Sequence, residues 1–333
     1  MLGVVEIPGG PAVEGLVAAM IVPQPLISVI IPTRNGGPRF RELLAALRQQ
    51  SRVPDEILVI DSGSGDETLA LAKKYGARVI SIAPQDFDHG GTRSLGARSA
   101  IGDLVVYLTQ DAVPADSEAL QQLLAPLTDE RVAATYGRQL PNADASCFAR
   151  HLRDFNYPAR SVVRSFEDRV RFGFKTAFIS NSFAAYRRDL LAAVGYFQEG
   201  LLFGEDTFTV AKLLRRGYCV AYAAEARVLH SHNYTVTQDF RRYFDIGVAH
   251  VMNRELLESF GSPTGEGRRY VAAELAFLVR ENLYWRLPES MMRNAVKLFA
   301  YNLGKRYTML PRGLARRCSL NRGWWSVSPL KGR

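Results

Sequence analysis

Cysteine is scarce here: Cys147, Cys219 and Cys318 are odd in number and far apart in a chain of 333 residues. That excludes a disulfide framework and a cysteine zinc knuckle, and it points to a reducing compartment. Long apolar runs are missing too. The nearest, from Gly15 to Ile31, is interrupted by Pro23, Gln24 and Pro25, whereas a bilayer span needs roughly 18 apolar residues. No basic stretch precedes an apolar one at the N-terminus, so no signal peptide is expected there. Two nucleotide fingerprints are also absent. No G-x-G-x-x-G follows the first apolar strand and no G-K-[ST] occurs anywhere, which argues against a dinucleotide fold and a P-loop. Finally, no acidic residue follows Glu289.

What is present is ordinary for a globular chain: 47% hydrophobic, 23% charged and 10% aromatic residues, which excludes a disordered or fibrous protein. The length suits one large domain with an appendage, or two domains. The net charge of +9 is localised. Ten of the 42 Lys and Arg residues lie in 290–333, leaving 32 basic against 33 acidic residues in a nearly neutral body.

Leu26–Ile31, Glu56–Ile60, Arg78–Ile82 and Leu104–Leu108 are short β-branched runs expected to be buried strands. Between them, Arg39–Gln50, Asp66–Tyr75 and Thr92–Ala100 carry helical spacing. Such alternation means βαβ units and a mostly parallel sheet, with ligands expected beyond the carboxyl ends of the strands. The second half is less regular. Phe178–Tyr186, Cys219–Ala223 and Ala226–Leu229 read as strands. Arg188–Val194, Asp206–Arg215, Phe240–Leu257, Tyr270–Arg286 and Met291–Leu303 read as helices, with 261–265 as a linker.

Five segments at strand or helix ends could carry chemistry. Asp61-Ser-Gly-Ser-Gly-Asp66 offers a carboxylate to a base N–H or a ribose hydroxyl, or it is a plain capped turn. His89-Gly-Gly-Thr-Arg93 could cradle a diphosphate with free amides ahead of a helix and the Arg93 fork, or it is a solvated loop. Asp111, after a strand, suits Mg²⁺ or Mn²⁺, hard ions that need few protein carboxylates when substrate phosphates add oxygens; otherwise it is a helix cap. Glu205-Asp206 either serves a helix dipole or supplies a general base. His230 and His232 fall on one face of a strand, fit for a metal or a phosphate, or for structural hydrogen bonds.

Taken in order, Ser28-Val-Ile-Ile-Pro-Thr-Arg-Asn35, Leu58-Val-Ile-Asp-Ser-Gly-Ser64, Thr92-Arg-Ser-Leu-Gly96, Thr109-Gln-Asp111, Asn181-Ser182, Glu205-Asp206 and Val228-Leu-His230 resemble the inverting family 2 glycosyltransferases of GT-A fold. His89-Gly-Gly-Thr-Arg93, Leu108-Thr-Gln-Asp-Ala112 and His230-Ser-His-Asn-Tyr234 resemble, within that family, the bacterial rhamnosyltransferases of surface-polysaccharide assembly. The resemblance implies an α/β GT-A domain over 26–258, with a nucleotide half (26–115) and an acceptor half (116–258). It is preceded by a lead-in (1–25) and followed by a helical basic extension (266–333). It further implies that Pro32, Thr33, Asn35, Asp61, Ser62, Arg93 and Gln110 bind the nucleotide. Asp111 with His230 or His232 would hold a divalent cation, Mg²⁺ or Mn²⁺. His89, Asn181 and Ser182 would meet the sugars, and Asp206 would be the catalytic base, assisted by Glu205. One position departs from the family's D-x-D, which usually starts with an acid: here it is Thr109.

The implied substrates are a nucleotide-sugar donor, dTDP-L-rhamnose by the closest resemblance, and a glycan or lipid-diphosphate-linked glycan acceptor. A UDP- or GDP-sugar donor, a sugar-nucleotide pyrophosphorylase and a degenerate assembly partner are the alternatives. In the tail, Met292, Val296, Phe299 and Leu303 line one helical face and Arg293, Lys297, Tyr301 and Lys305 an adjacent one. Ten cations suit an anionic membrane surface, so a cytoplasmic protein peripheral to the inner membrane face is expected. No nucleic-acid module is recognisable and no nucleic-acid partner is expected.

Overall fold

A computed structural model describes residues 24–261 and 265–327. The expected lead-in falls almost wholly outside them, as do most of the linker and the cations Lys331 and Arg333.

Nine strands make one sheet: β1 (Ile27–Thr33), β2 (Glu56–Asp61), β3 (Arg78–Ser81), β4 (Leu104–Leu108), β5 (Val113–Pro114), β6 (Val132–Leu140), β7 (Val162–Arg164), β8 (Phe183–Arg187) and β9 (Cys219–Leu229). Their order is β3-β2-β1-β4-β8-β6-β9-β5, with β7 also on β9. The first four pair in parallel, as the βαβ pattern requires. Beyond β4 the sheet turns mixed, because β8 runs antiparallel to both β4 and β6.

Helices α1 (Gly37–Arg48), α2 (Thr68–Lys74), α3 (His89–Ser99), α4 (Ala119–Leu124), α5 (Cys147–Asn156), α6 (Arg169–Phe172), α7 (Arg188–Ala193) and α8 (Glu205–Arg215) follow in chain order. The C-terminal set is α9 (Val236–Met252), α10 (Arg254–Glu258), α11 (Glu266–Arg280), α12 (Leu287–Lys305), α13 (Arg312–Cys318) and α14 (Trp324–Val327). Period-two alternation in β1 sends Val29 and Ile31 to one core with Phe40, Leu43 and Leu47 of α1. Ile30 goes to the opposite core with Leu58, Ile60 and Tyr107.

Three expectations are corrected. The helix expected from Thr92 starts at His89, because the Asp88 carboxylate caps it by accepting from the Gly91 amide at 2.7 Å. The two glycines therefore lie inside the first turn, not in a loop ahead of it. A Cβ on Gly90 would lie 2.0 Å from the Gln198 carbonyl oxygen, so this glycine serves close packing. The strand expected over Phe178–Tyr186 is confined to Phe183–Arg187, since 180–182 turn across the sheet end. The two strands expected in 219–229 are one, with a register shift opposite Gly137 and Arg138.

In the C-terminal unit, α9 and α12 approach closely through two glycines. A Cβ on Gly304 would sit 2.1 Å from the Phe244 carbonyl oxygen, and one on Gly247 would sit 2.3 Å from that of Tyr301. Two cations of the α12 stripe, Arg293 and Lys297, face inward, while Lys305 is exposed. Arg293 pairs with Asp239 at 2.8 Å and with Glu289 at 2.9 Å, and Lys297 is buried with its ammonium over the Tyr243 and Tyr270 rings. These two cations, counted from sequence among ten for a membrane, are instead consumed inside the protein.

Candidate active site

The parallel register sets Thr33, the last residue of β1, beside Asp61, the last of β2. Asp61 is only 2% exposed. Its carboxylate accepts from the Gly63 and Ser64 amides, both at 3.0 Å, from the Ser64 hydroxyl, and from the Thr33 hydroxyl at 3.3 Å. Four donors fill a carboxylate's lone-pair sites, so Asp61 shapes the loop, and a ligand reaches it once a hydroxyl turns away. Ser62 ties back to β1, its amide and hydroxyl both donating to the Thr33 carbonyl. Pro32 is half-buried beside Ile60. The Asn35 side-chain Oδ1 accepts from the Gly65 amide at 2.9 Å. Gln110 clasps Arg34 from both ends of its amide, accepting from the Arg34 amide at 2.8 Å and donating to its carbonyl at 3.1 Å. The expected nucleotide segments are thus laced into one rim.

Asp111 follows Gln110 and meets both histidines. His230 Nε2 lies 3.5 Å from one carboxylate oxygen and His232 Nε2 lies 3.7 Å from the other. One ligand atom from each of the three residues falls within 4.8 Å of the others. The Gln139 side-chain Oε1 accepts from the Arg153 guanidinium and lies 2.9 Å from His230 Nδ1. That acceptor orients the His230 ring with Nε2 toward Asp111, the outer-shell support expected of a metal ligand. Burial first, then His230, pushes the His232 pKa down to about 4, keeping that imidazole neutral at pH 7. Burial would raise Asp111, but the two histidines hold it well below the usual carboxylate range. A carboxylate and two imidazoles whose ligand atoms converge fit a divalent cation.

Asp206 stands in the first turn of α8, after Gly204 in the left-handed region (φ 85°). Its carboxylate accepts from the Thr207 amide at 2.7 Å and the Asn181 amide at 3.2 Å. Burial and the adjacent Glu205 carboxylate push its pKa up to about 7, against the pull of Arg93 and the two amides. A carboxyl with that value is matched to proton transfer near neutrality. Glu205 is different. Burial alone would raise it, yet Arg93 and His89 outweigh that and keep it below its ordinary value.

Arg93 is where sequence and structure part. Expected on the nucleotide, its guanidinium is 7% exposed and sits 2.6 Å from Glu205. The early start of α3 turns it inward, and it also donates to the His89 carbonyl at 3.3 Å. His89 is half-buried beside it, with Nδ1 3.3 Å from the guanidinium. Glu205 and Arg93 thus form a buried pair that acts on Asp206 through its field.

One segment joins these parts. The Gln139 amide donates to the Ser180 hydroxyl at 2.9 Å, the Asn181 amide holds Asp206, and the Ser182 carbonyl accepts from the Thr109 amide at 3.4 Å. The Asn181 side-chain oxygen accepts from Tyr186 at 2.8 Å. Asp61, Asp111 and Asp206 therefore belong to one continuous hydrogen-bonded rim. Gln139, Arg153, Ser180 and Tyr186 were not visible in the sequence as site residues. They lie inside regular elements or a turn with no motif, and only the strand order brings them to the rim.

The glycosyl transferase family 2 profile matches residues 28–195. The O-antigen chain rhamnosyltransferase RfbN of Salmonella typhimurium is 43% identical over 302 residues, covering 90% of this chain and 96% of its own. WbaN of Salmonella anatum, also described as an O-antigen chain rhamnosyltransferase, is 42% identical over 304 residues, covering 91% and 96%. Among solved structures, a Pyrobaculum calidifontis mannosyltransferase in complex with GDP-Man and Mn²⁺ superposes with a TM-score of 0.58 at 17% identity, over 92% of this chain and 89% of its own. That likeness shows the shared fold.

Proposed function

The chain belongs to glycosyl transferase family 2 and is a glycosyltransferase, and from that premise we propose that it moves L-rhamnose from dTDP-L-rhamnose, with inversion, onto a hydroxyl of a glycan or lipid-diphosphate-linked glycan in surface-polysaccharide assembly. The relatives carry the choice of sugar: two O-antigen chain rhamnosyltransferases match more than 40% of positions across nearly their whole length. The donor nucleotide would occupy the rim from Thr33 to Gln110, with Asp61 and Ser62 at its base. Asp206 takes the acceptor hydroxyl's proton as the oxygen attacks the anomeric carbon. The bond from that carbon to the diphosphate oxygen breaks on the opposite face, so the configuration inverts without a covalent enzyme intermediate.

Asp111, His230 and His232 would hold a divalent cation, which when bound offsets the charge of the departing diphosphate. Two imidazoles favour Mn²⁺ over Mg²⁺, which prefers oxygen ligands and water. Substrate phosphate oxygens would stand in for the carboxylate that Thr109 lacks. No described helix is long and apolar enough to cross a membrane. We place the protein in the cytoplasm, at the inner membrane face, through its C-terminal basic region.

The test is transfer from a panel of dTDP-, UDP- and GDP-linked sugars, with and without Mn²⁺, alongside thermal shifts with dTDP, UDP and GDP, since ligand binding raises apparent stability. Transfer from dTDP-rhamnose with stabilisation by dTDP is expected. Transfer from a UDP- or GDP-sugar with none from dTDP-rhamnose would overturn the donor assignment.

A further inference from the structure

Helix α12 departs from an ordinary surface helix, whose outward side is polar. Its inner face holds Ser290, Lys297, Ala300 and Gly304, with half-buried Arg293 and Leu303 at its margins. At 100° per residue, positions 288, 291, 292, 295, 298, 299 and 302 share the outer side, about 21 Å long, and none is charged. Met291, Leu298 and Phe299 there are 67%, 64% and 63% exposed, and Met292 is 44% exposed. Trp285 before the helix and Met309 after it stand out at 69% and 78%. A contiguous apolar face of this kind marks an interaction surface.

We propose that this outer face lies in the headgroup–acyl boundary of an anionic phospholipid membrane, inserting Met291, Leu298 and Phe299 with Trp285 at its edge. The charge that follows it in the chain selects the occupant. Exposed Lys305 and Arg306 close the helix, exposed Arg316, Arg317 and Arg322 follow, and no acid comes after Glu289. Anionic headgroups complement that set, whereas a second copy would add like charges to it. An exposed tryptophan beside the apolar stripe is the usual anchor at headgroup depth.

The inner face gives the placement a purpose. The Arg293 guanidinium donates to the Tyr234 carbonyl at 2.9 Å, two residues beyond His232. Arg293 therefore ties the helix that carries the lipid-facing stripe to the segment that carries the proposed cation ligands. This rests on the membrane placement proposed above but changes its physics, from electrostatic attraction of a basic tail to insertion of an apolar helix face.

The experiment uses the full chain with vesicles of phosphatidylethanolamine and phosphatidylglycerol at low salt and at about 0.5 M salt, where surface charge is screened. Trp324 and Trp325 are buried, so Trp285 reports contact when acyl chains carry bromine. Expected are binding that survives high salt and quenching that disappears in Trp285→Phe. Leu298→Glu with Phe299→Glu, on exposed positions that leave the fold intact by circular dichroism, is expected to weaken binding about 10-fold or more. Binding only at low salt without quenching would overturn insertion while sparing the electrostatic placement. Absence of vesicle binding at any salt would overturn both. Self-association abolished by Phe299→Glu would assign the face to a second copy and overturn insertion.

Discussion

The raised pKa of Asp206 makes the pH profile of transfer a direct assay of the base. A general base works only when ionised. With a value of about 7, about 3% of Asp206 is ionised at pH 5.5 and about 90% at pH 8, so kcat/KM for the acceptor should rise about 30-fold over that span. An aspartate at the ordinary value of about 3.9 would be almost fully ionised at both ends, giving a flat profile. His232 at about 4 and Asp111 lower still both titrate outside that span. Glu205→Gln tests the cause. It removes the like charge beside Asp206 and frees the field of Arg93, both of which favour the ionised form, so the acid limb should move below pH 7. The measurement is initial rate against pH at saturating donor and metal. A flat profile from pH 5.5 to 8, or a limb near 7 that persists in Asp206→Asn, would refute the assignment.

Other outcomes follow from the same contacts. Asp206→Asn should keep donor affinity by calorimetry while turnover falls at least ~100-fold. Asp111→Ala should weaken both metal and nucleotide-diphosphate binding. Gln139→Ala, which touches no substrate, should cost about 10–100-fold in metal affinity by freeing the His230 ring, and unchanged Mn²⁺ titration would remove it from the site. Arg93→Met leaves Glu205 buried and unpaired, so denaturant unfolding should show a loss of about 3–5 kcal/mol, largely recovered in Arg93→Met with Glu205→Leu.

The first half of the sheet was legible because each β-branched run ends at a chemically marked loop. Asp61, Asp111, Asp206 and the histidine pair could be singled out because short-range spacing places them at strand or helix ends. Arg93 was assigned to the nucleotide because local sequence cannot show that Asp88 extends the helix backward and turns the guanidinium toward a residue 112 positions away. Arg293 and Lys297 were assigned to the surface for a similar reason: their partners Asp239, Tyr243 and Tyr270 lie on other helices. Gln139 left no trace, since a glutamine in a strand has many roles and only the pairing of β6 with β9 brings it to His230.

The short run Ser180–Ser182 couples two tasks that a transferase might otherwise adjust separately. Its middle residue fixes the proton acceptor, while its flanks brace the strand end and the glutamine behind the leaving-group side. A substitution at Tyr186 that slackens this run would misalign both halves of the displacement at once. Redirecting such an enzyme to a different alcohol is therefore best attempted on surfaces away from this tie.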